Sequence, residues 1–132
     1  MTVEKEFPKA IEKDLGEGAY KKGLQALKAA DRALVKPGNS RLCHGSADID
    51  SNLAAQQPQA SRWDYVIAHD QVLNFVEVHP AHTSEVSQVI KKKEWLMAWL
   101  KNAETAEEKA LWEGHRKSTE KLVFLGFTAL ID

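Results

Sequence analysis

Trp63-Asp64-Tyr65-Val66-Ile67-Ala68-His69-Asp70-Gln71-Val72-Leu73-Asn74-Phe75-Val76-Glu77-Val78-His79 is the stretch on which the fold turns. β-Branched and aromatic residues fill Trp63–Ala68 and Val72–Val78, with the polar His69-Asp70 between them, the pattern of a β-hairpin. Both runs are apolar at nearly every position, so both faces of the sheet should be covered by helices. A two-residue turn at His69-Asp70 pairs Ala68 with Gln71 and sets Asp64 opposite Phe75. A four-residue loop sets Asp64 opposite Glu77 instead. In either register the two carboxylates lie within two positions of each other across an antiparallel pair.

Working outward, Pro80 ends the second run. Thr83 or Ser84 then caps a long helix running to about Asn102, with Glu85 in its first turn, where a carboxylate suits the helix dipole. The charged stretch Glu104 to Lys121 reads as a further helix and a connection, and Leu122 to Leu130 as a buried closing strand. Before the hairpin, Arg41 to Ile49 holds a short strand weakened by Gly45 and Ser46, and Asp50 to Ser61 is a polar loop. Ala10, Ile11 and Leu15 give a short amphipathic helix stopped at Gly16-Glu17-Gly18. Tyr20, Leu24, Leu27 and Leu34 mark the buried stripe of a second helix, from about Ala19 to Val35, ended by Lys36-Pro37-Gly38-Asn39. The expected fold is therefore α/β: one domain over 1–132, with N-terminal helices in 1–36 and a sheet-and-helix core in 41–132.

A chain of 132 residues has the usual size of one domain and can bury a core without staples. Its 43% hydrophobic and 28% charged content is that of a globular protein. A net charge of −1 argues against a uniformly basic nucleic-acid coat and leaves room for a local basic groove. Cys43 is alone, so no internal disulfide forms. No apolar leader follows Met1 and no run has the length of a membrane span, so a cytoplasmic, soluble protein is expected.

Asp64 and Glu77 repel each other unless a cation lies between them, and Mg²⁺ or Mn²⁺ suits a pair of carboxylates completed by water. His79, two residues beyond Glu77 on the same strand face, offers a third ligand or a base near neutral pH. Its own position before Pro80 equally suits a structural role. His79-Pro80-Ala81-His82 lacks zinc partners, because Cys43 is the sole thiol. Gly45-Ser46-Ala47-Asp48-Ile49-Asp50 resembles nucleotidyltransferase motifs, but the Gly-Ser and Asp-x-Asp parts adjoin with no room for that geometry. Asp48 could still lend the hairpin a carboxylate.

An Asp at the start of one strand, a tight turn, and an apolar strand ending in Glu-x-Lys form the core of the PD-(D/E)XK nuclease superfamily. Trp63 to Ile67 and Phe75 to His79 resemble its second and third strands, and the order of elements resembles its αβββαβ restriction-endonuclease-like core. The resemblance implies a mixed sheet flanked by helices, metal held by Asp64 and Glu77, and phosphodiester hydrolysis in DNA or RNA. His79 stands where the family has lysine, and relatives supply that lysine from a neighbouring helix. With Val86 taken as the centre of the long helix's buried face, Lys93 falls among Val89, Ile90, Met97 and Leu100. Lys93 there either pairs with a carboxylate as the replacement or snorkels to solvent, with Lys92 at the border of that arc as the reserve. Trp95 and Trp99 make an i, i+4 pair that covers the sheet or an interface. Two functions follow: a nuclease using Asp64, Glu77, His79 and Lys93, or an inactive relative serving as a nucleic-acid or protein binding module, a homodimer being open to either.

Overall fold

The computed structural model describes residues 2–79, 86–102, 111–112, 119–124 and 129–131. Helix α1 (Val3–Leu15) is longer than expected. Thr2 caps it by accepting from the Lys5 N–H at 3.3 Å, and Val3, Phe7, Ala10, Ile11 and Leu15 form its buried stripe. The chain leaves α1 at Gly16, whose φ of +106° lies in the region that favours glycine.

The expected helix over Ala19 to Val35 does not form. The segment instead holds strand β1 (Lys21–Lys22), a chain of turns, the single turn α2 (Ala29–Arg32) and strand β2 (Val35–Pro37). Gly23, at φ +52°, breaks the helical path, and its N–H donates to the His44 carbonyl at 3.4 Å. Leu24, Leu27, Leu34 and Val35 are buried or half-buried all the same, beneath the sheet and not along a helix. Tertiary pairing has overridden an i, i+4 apolar pattern.

Strand β3 (Cys43–Asp48) pairs antiparallel with β1, Lys21 facing Ser46 and Lys22 facing Gly45. The two residues that weaken it as a sequence pattern are the ones that dock it. A Cβ at Gly45 would collide with the Tyr20 ring, and the fully buried Ser46 Oγ accepts from the Ala26 N–H at 3.1 Å. The loop expected from Asp50 begins as helix α3 (Ile49–Leu53), capped by Asp48, whose Oδ1 accepts from the Ser51 N–H at 2.8 Å. Arg62 ties the rest down through the Asp50 carboxylate at 2.9 Å and the Gln57 carbonyl.

The hairpin forms as read, from β4 (Tyr65–His69) and β5 (Val72–His79). Its two-residue turn is Asp70-Gln71, one position later than expected, with Asp70 at φ +54°. His69 faces Val72 and Tyr65 faces Val76, so the next pair outward is Asp64 and Glu77. Helix α4 (Val86–Leu100) follows, and strand β6 (Thr119–Phe124) returns parallel to β5. The five-stranded sheet runs β1-β3-β4-β5-β6, with four antiparallel strands and a parallel last one. The expected closing strand is in fact two, because β7 (Ala129–Ile131) leaves this sheet and pairs parallel with β2. The expected cap at Thr83 or Ser84, and most of the helix expected over Glu104 to Lys121, lie outside the described residues. Leu111 and Trp112 within that stretch are helical and buried, while Thr119 to Lys121 belong to β6.

Among the described residues, helices cover one face of the hairpin. Val66, Ala68, Leu73 and Phe75 pack with residues of α1, α3 and α4. Tyr65, Ile67 and Val76 pack instead with Leu27, Val35 and Ile131, so the β2–β7 pair and its approach cover the second face. None of the helices, among the described residues, is long and apolar enough to cross a membrane.

Candidate active site

Asp64 immediately precedes β4, fixed there by the buried Trp63 before it and by the Asp64 carbonyl, which accepts from the Ile49 N–H at 2.9 Å. Glu77 sits on β5 across from it, with its side chain only 3% exposed. Each carboxylate is locked by the other strand's backbone. Asp64 Oδ2 accepts from the Val78 N–H at 2.9 Å, and Glu77 Oε1 accepts from the Asp64 N–H at 3.2 Å. The remaining oxygens, Asp64 Oδ1 and Glu77 Oε2, converge on the Lys92 ammonium of α4, at 3.2 Å for Asp64 and in close contact for Glu77.

Lys92, the reserve residue, therefore holds the place expected of Lys93. Lys93 is exposed, as is Ile90 at 53%. The buried face of α4 runs through Val89, Lys92, Leu96, Trp99 and Leu100, well round the helix from an arc centred on Val86. The tryptophans turn the helix. Trp95 and Trp99 stack with centroids 5.8 Å apart, Trp99 leans on Trp112 at 5.7 Å, and Trp112 leans on Phe75 of β5. Trp95 Nε1 also donates to Gln57 Oε1 at 2.9 Å. Two indoles bury more area than Ile90 does, so weighing side chains by size would have centred the face beside Lys92.

A cavity of about 250 Å³ opens at this end of the sheet, with Asp64 and His79 on its wall beside Asp48 and Asp50. His79 is buried, at 6% exposure, on the strand end. Among the described residues no three His, Cys, Asp or Glu side chains gather closely enough to hold an ion. Asp48 and Asp50 are committed elsewhere, to the α3 cap and to Arg62. Tyr65, unmarked as a site residue by the sequence, lines the cavity together with Lys28, Asp31 and Val78. Its hydroxyl donates to Asp31 Oδ2 at 2.5 Å and accepts from the Lys28 N–H at 3.3 Å, and burial together with Asp31 pushes its pKa up.

Burial, reinforced by the neighbouring Asp64 charge, pushes the Glu77 carboxyl up to about 7, although Lys92 pulls the other way. Asp64 is raised too, by burial that outweighs the Lys92 charge. Burial alone would lower the Lys92 ammonium, but its contacts with Glu77 and Asp64 prevail and raise it. Two carboxylates share a single ammonium, so with both ionised the cluster is one positive charge short of neutrality. Oxygen donors of this kind, with water to complete the shell, suit a hard divalent cation, and the ammonium marks the point at which such a cation is favoured. Compared with protein-family models, with curated proteins and with solved structures, the chain matches none of them.

Proposed function

We propose that the chain is a metal-dependent phosphodiesterase acting on nucleic acid, of the PD-(D/E)XK kind, with Asp64 and Glu77 as metal ligands and Lys92 as the motif lysine. The observation that carries this reading is the convergence of Asp64 Oδ1, Glu77 Oε2 and Lys92 Nζ at the sheet end, where Asp64 also lines the neighbouring cavity. With β1, α2 and β2 inserted before β3 and α3 before β4, the elements α1, β3, β4, β5, α4 and β6, the last parallel to β5, follow the αβββαβ order of that superfamily and support it.

A divalent ion bound there supplies an acidified water and charge stabilisation at the phosphoryl group. Asp64 and Glu77 hold it through the two oxygens their backbone locks leave free. With its pKa near 7, Glu77 can hold or release a proton at neutral pH. Lys92 keeps its charge and can donate to a phosphate oxygen or to the attacking water. Exposed Lys91 and Lys93 flank Lys92 on α4 and offer cations to a phosphate backbone, while the cavity wall carries Lys28 beside Asp31, Asp48, Asp50 and Asp64.

Incubation with Mg²⁺ or Mn²⁺ and single- or double-stranded DNA and RNA tests the reading. The parent should cut at least one of these, and Lys92→Met should bind metal but cut it about a hundred-fold or more slowly. The alternative of an inactive binding module draws on one observation: Lys92 already pairs both carboxylates, so the cluster can stand as a structural ion pair. A parent that cuts none of the four substrates while still binding nucleic acid would favour that alternative.

A further inference from the structure

The geometry points to Lys92 as an internal cation that occupies the place of the divalent ion in the metal-free protein and must withdraw before that ion binds; the inference rests on the metal-site reading above. Each carboxylate has one oxygen held by a backbone N–H, the Val78 amide for Asp64 and the Asp64 amide for Glu77. Neither can turn to offer a second oxygen without breaking that bond and stranding a backbone donor. Ammonium and metal therefore compete for the same two atoms, Asp64 Oδ1 and Glu77 Oε2. No third acidic or imidazole side chain among the described residues gathers with them to seat both cations at once.

The exit route is visible in the exposures. The Lys92 side chain is 20% exposed against 3% for Glu77, so part of the lysine reaches solvent while the carboxylate it pairs with is enclosed. A four-carbon stem can swing such a head into water while α4 stays in place. Charge favours the exchange once both carboxylates are ionised, because one ammonium then leaves an excess negative charge and a divalent ion removes it. Once displaced, the ammonium remains tethered to α4 beside the site.

The test is Mn²⁺ affinity by calorimetry, with thermal unfolding alongside, for the parent, Lys92→Met, Lys92→Gln and Lys93→Met. Removing the competitor should tighten Mn²⁺ binding about ten-fold or more in both Lys92 variants, the effect of no longer breaking a partly buried ion pair. Lys93→Met removes the same charge one residue away and should stay within about two-fold of the parent, because an exposed charge is screened. Metal-free Lys92→Met should melt below the parent, and saturating Mn²⁺ should raise its melting temperature by more than it raises the parent's. Lys92→Gln keeps an N–H donor and reads out the affinity even if the Met variant does not fold. Unchanged or weaker Mn²⁺ binding in the Lys92 variants, with a parent that binds, overturns the competition and leaves the metal site standing. Absence of Mn²⁺ binding in all four proteins overturns both.

Discussion

Glu77 has the most demanding position of any charged residue described: nearly fully buried, beside a second carboxylate, with one ammonium between the two. Its ordinary pKa of 4.5 is pushed up to about 7, first by burial and then by Asp64. Between those values the folded protein keeps a proton that the unfolded chain releases. This stabilising contribution is complete below pH 4.5 and is lost as pH rises through about 7. The metal-free protein should accordingly melt higher at about pH 5.5 than at about pH 8, and Glu77→Gln should remove most of that difference. A parent whose melting temperature fails to fall over this window would contradict the burial assigned to Glu77. A metal ion reverses the sign, since it needs the carboxylate bare, so Mn²⁺ should stabilise the protein more at about pH 8 than at about pH 5.5. At this scale Asp64 and Glu77 were legible because either register of the hairpin brings them within two positions of each other. Lys92 was legible only as second choice, since three lysines in a row leave the helix rotation to decide, and bulky neighbours set that rotation.

At the scale of elements, the hairpin announced itself and its register did not. The turn has no glycine, and Asp70 adopts the left-handed conformation, so the sequence offered no marker distinguishing Asp70-Gln71 from His69-Asp70. Strand β3 shows the opposite failure, where Gly45 and Ser46 looked like defects and are contact points. Gly45→Ala should force Tyr20 off the sheet, breaking the hydrogen bond from its hydroxyl to the His44 carbonyl at 2.9 Å. A loss of about 1–3 kcal/mol in denaturant unfolding is expected from such overpacking. An unchanged midpoint would mean that β1 does not press on β3 as described. In α4, Leu96→Ala removes a fully buried side chain one turn from Lys92 and should cost about 2–5 kcal/mol. Ile90→Ala, on the exposed side, should cost less than about 0.5 kcal/mol beyond propensity. Equal costs would put the helix back in the rotation that favoured Lys93.

Across the whole molecule, the site depends on a sheet buried on both faces by unlike means. Helices protect the face of Phe75 and Glu77, while β2 and β7, far apart in the chain, meet beneath Tyr65 and Val76. Nothing local in Val35-Lys36-Pro37 or Ala129-Leu130-Ile131 reveals that pairing, because a parallel contact between distant segments leaves no mark in either one. Ile131 is fully buried there, so Ile131→Ala should cost about 2–5 kcal/mol and deprotect β2 amides in hydrogen exchange. Protection unchanged in β2 would contradict the second sheet. The central claim, that two backbone-locked carboxylates at the end of this sheet make a divalent-metal site, is tested most directly by titrating Mn²⁺ calorimetrically into the parent, Asp64→Asn and Glu77→Gln. One ion per chain should bind the parent at neutral pH, and each variant should bind about a hundred-fold or more weakly. Equal affinity in all three proteins, or no binding to the parent, would contradict it.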